Sequence, residues 1–275
     1  MIQKLCIIGI GRIGKVLVDG LINSGFNKTN LILIVKTIQK RDHLRAEGYK
    51  SEIDLLKVKD VDFIFLAVKV SSIEAILASI KQNPNLYYKP IVSLCAGFTY
   101  KNFQEVLNND YPVLRIRPNI FIGINKGNIL LANNINTKLI NKEIESLLQN
   151  LGAIYRVDES ELSKLTWDSS SICGVILSQL IISRLNGLPS EKLNLVSQMI
   201  VSSLNGFCKY LEYLDQKGIK DIAMFQHIYE NIVSPEGLNY KTINFLIEKQ
   251  FFNNFLEAAT YYERCEQKEI TNLEE

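Results

Sequence analysis

Histidine is nearly absent: the 275 residues include only His43 and His227. A Ser-His-Asp triad or a multi-histidine metal centre has almost nothing to be built from. Charge of one sign is lacking too. The 31 basic residues face 29 acidic ones, a formal net charge of +2, and no basic stripe stands out. A protein that binds nucleic acid by neutralising phosphates needs such an excess, so nucleic acid is not an expected partner. No apolar run approaches the roughly 20 residues that span a bilayer. The longest, at 172–182, is interrupted by Gly174, Ser178 and Gln179, so no membrane is expected either. The five cysteines, Cys6, Cys95, Cys173, Cys208 and Cys265, are scattered and never spaced Cys-x-x-Cys. That excludes a disulfide framework or a zinc site and suits free thiols in a reducing compartment. The first nine residues hold one lysine, a few apolar residues and no small-residue cleavage site. They read as a buried strand, not a signal peptide, and the expected location is the cytoplasm.

What remains is an ordinary globular composition: 47% apolar, 22% charged, mean hydropathy +0.06. The length suits one or two domains of about 150 residues. Strand-like and helix-like segments alternate through the first half. Apolar runs at Leu5–Ile8, Leu31–Val35, Phe63–Val68, Ile91–Leu94, Val113–Ile116, Gly127–Ala132 and Ala153–Val157 predict strands. Helical spacing at Lys15–Ser24, Ile73–Ile80 and Ile140–Leu151 predicts helices between them. Leu44–Glu47 could add a short one, and Thr99 caps another that runs to Leu107. This order argues for a parallel, doubly wound α/β sheet of the Rossmann type. After about residue 160 nearly everything has helical periodicity, broken at 187–190, where Ser190 suits an N-cap, and at 234–237. Asp158, Glu159 and Glu161 read as an acidic loop joining the halves. The expected organisation is a dinucleotide-binding domain over 1–160 and an all-helical domain over 161–275.

The chemistry begins at Gly9-Ile10-Gly11-Arg12-Ile13-Gly14, a Gly-x-Gly-x-x-Gly turn between a strand and a helix. The first glycine permits the tight turn, the second lets the backbone approach a pyrophosphate, and the third lets helix and strand pack. The anion then sits at the helix N-terminus. About twenty residues on, an NAD site usually carries an acidic residue for the ribose 2′-hydroxyl. This strand instead ends in Lys36 and Thr37, followed by Lys40 and Arg41, with no carboxylate before Asp42. Those side chains suit a 2′-phosphate, so NADPH is the expected cofactor and NADH the alternative.

Several segments together carry a family likeness. Val61-Asp62-Phe63-Ile64-Phe65-Leu66-Ala67-Val68-Lys69 is similar to a "D-hydrophobic-AVKP" strand. Val92-Ser93-Leu94-Cys95-Ala96-Gly97 is similar to "SxxAG", and Arg115-Ile116-Arg117-Pro118-Asn119 to "RxMPN". With the glycine turn and the helical second half, the chain resembles Δ1-pyrroline-5-carboxylate reductase along nearly its whole length. The resemblance implies NAD(P)H-dependent reduction of a cyclic imine and a helical domain that interleaves with a partner in a homodimer or higher homo-oligomer. It implies that Ala67, Val68 and Lys69 run along the cofactor, that Cys95, Ala96 and Asn119 lie near its nicotinamide end, and that Arg12 and Ile13 share the phosphate turn.

The substrate segments differ more. The family's "SGSGPAY" aligns with Ser169-Ser170-Ser171-Ile172-Cys173-Gly174-Val175, and its "SPGGTT" with Ser234-Pro235-Glu236-Gly237-Leu238-Asn239. By resemblance, Ser169, Ser171 and Asn239 are the catalytic candidates, and Ser234, Glu236, Gly237 and Leu238 bind substrate. Glu236 puts a negative charge where the family holds a carboxylate. Asn239 can still donate a hydrogen bond at the last threonine's place. Two readings follow: an imine reductase, of Δ1-pyrroline-5-carboxylate or a relative, or a non-catalytic regulatory or accessory paralogue that keeps the nucleotide fold. No metal is expected.

Overall fold

The computed structural model describes residues 2, 4–107, 111–132, 138–166, 168–169 and 189–219, with scattered positions between 245 and 264. Eight strands form one sheet: β1 (Leu5–Ile8), β2 (Leu31–Ile34), β3 (Lys50–Glu52), β4 (Phe63–Leu66), β5 (Ile91–Ser93), β6 (Val113–Pro118), β7 (Gly127–Ala132) and β8 (Gly152–Val157). Their order is β3-β2-β1-β4-β5-β6-β7-β8. The helices are α1 (Arg12–Asn23), α2 (Ile38–Ala46), α3 (Ile73–Gln82), α4 (Tyr100–Val106), α5 (Lys138–Gln149), α6 (Leu162–Thr166) and α7 (Ser190–Gln216). The chain divides into two compact units, Met1–Ile176 with Tyr262–Glu275, and Leu177–Tyr261.

The central strands are apolar without alternation because both faces are buried. Leu5 and Ile7 face one core with Leu17 and Leu21 of α1 and Ile144 and Leu148 of α5. Cys6 and Ile8 face the other with Ile73, Leu77 and Ile80 of α3 and Phe103 of α4. Each fully buried leucine or isoleucine stabilises the fold by roughly 1.5–3 kcal/mol relative to exposure. The result is a doubly wound sheet with helices on both sides.

The structure departs from the expected all-parallel sheet at one place. β6 and β7 pair antiparallel, with Ile116 opposite Leu131 and Arg117 opposite Leu130, while β7 and β8 pair parallel. The short turn at Ile120–Ile124 between β6 and β7 reverses the chain; a parallel return needs a long crossover. β3 was missed because its three residues, Lys-Ser-Glu, form a polar edge strand with no apolar run. α2 is longer than the four-residue segment expected. Thr37 caps it, accepting from the Lys40 N–H, and its one buried residue, Leu44, leaves little periodicity to read. α1 ends as expected. Gly25 sits at φ +89°, and the N–H groups of Gly25 and Phe26 donate to Ile22 and Leu21 at 2.9 Å. α7 begins at Ser190, with Pro189 in the capping position expected for Ser190.

Candidate functional site

The C-terminal ends of β1, β2, β4 and β5 lie side by side. Gly9 N–H donates to Ile34 O, Ala67 N–H to Ile8 O and Leu94 N–H to Leu66 O, each at 2.9 Å. These bonds carry the sheet past its formal strand ends and fix the loops that follow. Consecutive elements leave β1 toward opposite sides here, which in an open α/β sheet is where a ligand-binding crevice forms.

The three glycines of the first turn differ in what surrounds them. Gly9 sits at φ +93°, and a Cβ there would stand 2.6 Å from Ala67 O. A Cβ on Gly14 would stand 2.0 Å from Gly9 O. The protein's own packing requires both. Gly11 is extended at φ −82°, exposed, and has nothing within 4 Å of a Cβ position. Its bareness is not explained by any neighbour in the described protein, and it leaves the face over the start of α1 open. α1 starts beside it with no side-chain cap and no acidic residue in its first turn. The first helical bond runs from Lys15 N–H to Gly11 O, so the N–H groups of Arg12, Ile13 and Gly14 are left to a ligand or water. An anion at this end gains from these donors and from the helix dipole. Arg12 is exposed, while Ile13 is half-buried against the core.

The basic residues after β2 divide into two kinds. Lys36 is exposed at the strand tip, and no hydrogen bond or ion pair of it is seen among the described residues. Thr37 Oγ1 accepts from Lys40 N–H at 3.4 Å. Lys40 Nζ donates to Ile10 O within the glycine turn, and Arg41 pairs with Asp42 at 2.7 Å. Lys36 thus stays exposed at the strand tip beside the N-terminus of α2, whereas Lys40 tethers α2 to the turn. Alongside lies a cavity of about 520 Å³ bounded by Gly9, Lys36, Asp54, Leu55, Val68 and Ser72. Asp54, Leu55 and Ser72 gave no motif in the sequence; only the topology brings them beside the glycine turn.

At the tips of β4, β5 and β6, Ala67 and Val68 are half-buried and Lys69 is exposed. Cys95 is buried. Its thiol donates to Val68 O at 3.2 Å, and burial pushes its pKa up, so it stays a neutral thiol and not a nucleophile. Ala96 is half-buried beside it. Asn119 Oδ1 accepts from the N–H groups of Phe121 at 3.2 Å and Asn128 at 3.1 Å, which pins the end of β6 to β7.

Beneath these tips runs a polar network. Arg115 on β6 pairs with Glu159, whose Oε1 also accepts from Tyr100 N–H at 2.7 Å. Tyr100 Oη accepts from Arg115 N–H and donates to Ala132 O, both at 3.1 Å. Burial pushes the Tyr100 phenol up to about 12. Glu159 therefore does not belong to a solvated acidic loop. It is the counter-charge of an arginine only 4% exposed. The sequence of β6 could have suggested this, because Arg115 and Arg117 fall on one face of an otherwise apolar strand that is buried along nearly its whole length.

Ser169 is described and half-buried. Ser171, Ser234, Glu236, Gly237, Leu238 and Asn239 lie outside the described residues. Among the described residues no group of three histidine, cysteine or acidic side chains could hold a metal, and no helix is long and apolar enough to cross a membrane.

Three comparisons bear on this arrangement. A family model described as NADP oxidoreductase coenzyme F420-dependent matches residues 4–97. A pyrroline-5-carboxylate reductase of Aquifex aeolicus is 22% identical over 259 residues, covering 93% of each chain. One from Corynebacterium melassecola is 24% identical over 265 residues, covering 93% of this chain and 94% of the relative. Among solved structures, a Plasmodium falciparum pyrroline carboxylate reductase with NADP bound superposes with a TM-score of 0.74 at 22% identity, covering 98% of both chains. That structural likeness establishes the shared fold.

Proposed function

We propose that this chain, a divergent member of the pyrroline-5-carboxylate reductase family, uses NADPH to reduce Δ1-pyrroline-5-carboxylate or a related cyclic imine. The observation that carries the reading is Gly11: an exposed glycine with empty space over it, at a helix N-terminus free of acidic residues. The near-complete alignment with the named relatives supports the reaction.

The residues fit the cofactor. Gly9, Gly11, Arg12, Ile13 and Gly14 would hold its pyrophosphate through backbone N–H groups and the α1 dipole. Lys36 and Thr37 would take the 2′-phosphate. Ala67, Val68 and Lys69 would run along it toward a nicotinamide end walled by Cys95, Ala96 and Asn119. When bound, NADPH supplies the hydride to the imine carbon. The chain's part is orientation and exclusion of water, because a cyclic imine near neutral pH can bind already protonated. That needs no strong acid, in keeping with a crevice edge where the described thiol is held neutral. Ser169, Ser171 and Asn239 would hydrogen-bond the ring, with Ser234, Glu236, Gly237 and Leu238 shaping its pocket. Residues 1–160 would form the nucleotide domain and 161–275 the substrate and dimerisation domain.

The chain would work as a homodimer or higher homo-oligomer in the cytoplasm. Exposed apolar side chains on α7, among them Leu195, Met199, Val201, Leu204 and Phe207, favour assembly. The described cysteines Cys6, Cys95 and Cys208 are free thiols, which suits a reducing compartment. A monomer in light scattering would remove the oligomer. The altered residues Glu236 and Asn239 favour a second reading, a non-catalytic accessory paralogue. Fluorescence titration with NADPH followed by NADPH oxidation with Δ1-pyrroline-5-carboxylate separates the two. Turnover establishes the reductase; binding with no turnover on any cyclic imine establishes the paralogue.

A further inference from the structure

Tyr100 belongs to no motif in the sequence, yet three parts of the site converge on it. It opens α4, just after the loop that carries Cys95 and Ala96. That loop has little freedom. At one end the Cys95 thiol is held on Val68 O. In the middle Phe98 is buried edge-on against Phe103, with ring centroids 4.7 Å apart. At the other end Thr99 caps α4 through Asn102, and the Tyr100 N–H donates to Glu159 Oε1 at 2.7 Å, from 59 positions away. A close-packed segment held at both ends transmits strain, so a shift at Tyr100 is passed on to Cys95 and Ala96.

The phenol reaches two further elements. Its Oη accepts from the Arg115 N–H of β6 and donates to Ala132 O at the end of β7, both at 3.1 Å. Asn119, which walls the proposed nicotinamide end, follows β6 directly and is itself pinned to β7. Glu159, the partner of Arg115, opens the turn Glu159–Glu161 that leads into α6. Leu162 of α6 is buried against Leu130 and Ala132 of β7, and Tyr100 packs on the same cluster. Ser169, a catalytic candidate, comes shortly after α6. All of these residues belong to the first compact unit.

We propose that Tyr100 is a positioning residue for hydride transfer, holding the loop of Cys95 and Ala96, the end of β6 and the segment leading to Ser169 in one arrangement. This rests on the reductase reading. In that step the imine carbon of the protonated ring accepts hydride from NADPH, giving the ring amine and NADP+. The reacting atoms must stand about 3–3.5 Å apart, and a misplacement of about 1 Å costs on the order of 100-fold in rate. Tyr100 acts through the elements it joins, so its removal slows the chemical step and spares cofactor affinity.

The test compares the full-length wild type with Tyr100→Phe, which removes only the phenol oxygen, well below the Tm of each. Single-turnover oxidation of NADPH by Δ1-pyrroline-5-carboxylate should slow by about 10-fold or more, while the Kd for NADPH and the KM for the imine stay within about twofold. Tyr111→Phe is the control for lost stability alone. Its Oη also donates to a carbonyl, Leu86 O at 3.3 Å, just before the other end of β6, and its rate should match the wild type. If Tyr100→Phe does not fold, Glu159→Gln disturbs the same network and should slow the same step. If both fold, the double variant should be within about twofold of the slower single one, because the two act through one arrangement. An unchanged rate in Tyr100→Phe, equal slowing by Tyr111→Phe, or a loss that appears in the NADPH Kd overturns the proposal. Amide hydrogen exchange separates it from the reductase reading. In Tyr100→Phe, exchange should rise about tenfold at both 96–100 and 159–166, the protection one hydrogen bond gives. If the wild type reduces no cyclic imine but both segments loosen together, the reductase reading falls and Tyr100 keeps its linking role. If only one segment responds, or neither does, Tyr100 does not join them and the assignment falls.

Discussion

Gly11→Ala separates what the protein needs for itself from what it needs for a ligand. The new methyl group meets nothing within 4 Å, and φ −82° suits alanine. Removing a glycine lowers the entropy of the unfolded chain and stabilises by about 0.4–1 kcal/mol. Alanine is the poorer N-cap by a similar amount, roughly 0.5–1 kcal/mol. The two offset, so Tm should move by no more than about 2 °C. Binding should change far more. The methyl occupies the approach to the free N–H groups of α1. Loss of one or two charge-assisted hydrogen bonds, at about 1.5–3 kcal/mol each, weakens NADPH by roughly 100-fold. Gly14→Ala provides the contrast, because its methyl would stand 2.0 Å from Gly9 O and force α1 away from the sheet. That variant should lose about 1–3 kcal/mol or more of stability. Differential scanning fluorimetry and NADPH fluorescence titration measure both effects. A Gly11→Ala protein that binds NADPH like the wild type would refute the placement of the pyrophosphate.

Other consequences follow from the same geometry. Lys36→Ala should weaken NADPH by about 3- to 10-fold and leave NADH unchanged, with a smaller difference at high salt, since exposed charges are screened; equal effects on both nucleotides in titration would remove Lys36 from the 2′-phosphate. Glu159→Gln leaves Arg115 as an uncompensated buried charge and should cost about 3 kcal/mol, lowering Tm by roughly 6–12 °C in a thermal scan. The Tyr100 phenol, raised from 10.0 to about 12, holds its proton more tightly in the folded state than in the unfolded one. Its contribution is therefore complete below pH about 10 and lost as pH rises to about 12, at most about 3 kcal/mol. Tyr100→Phe should flatten that stretch of the alkaline unfolding curve while costing about 1–3 kcal/mol at neutral pH through its two lost hydrogen bonds.

Most of the nucleotide half was legible in the sequence because its signals are local. β1 and β7 were readable to the residue, since buried strands are largely apolar runs and turn residues bracket them. Thr99 was readable as a cap because a threonine before a helix has one ready use for its hydroxyl. Features set by distant contacts were not legible. β3 has only a polar triplet to announce it. The antiparallel β7 depends on how Ile120–Ile124 turns, which apolar patterning does not report. Glu159 looks like any acid in an acidic loop until β6 brings Arg115 to it from 44 positions away. Lys40 and Arg41 looked like phosphate ligands, yet their side chains are engaged by Ile10 O and Asp42. At the site, the glycine turn was legible because its spacing between a strand and a helix is a local signal, with Gly9 and Gly14 answering steric demands and Gly11 left bare, whereas the cavity wall at Asp54, Leu55 and Ser72 exists only through the topology.

One assay decides the reaction. Purified protein is mixed with NADPH and Δ1-pyrroline-5-carboxylate, nucleotide oxidation is followed by absorbance, and proline is quantified in the same sample. NADPH consumed in equal amount to the proline formed is the expected result. NADPH that binds but is never oxidised, on this imine or on any other cyclic imine supplied, would contradict the assignment as a reductase.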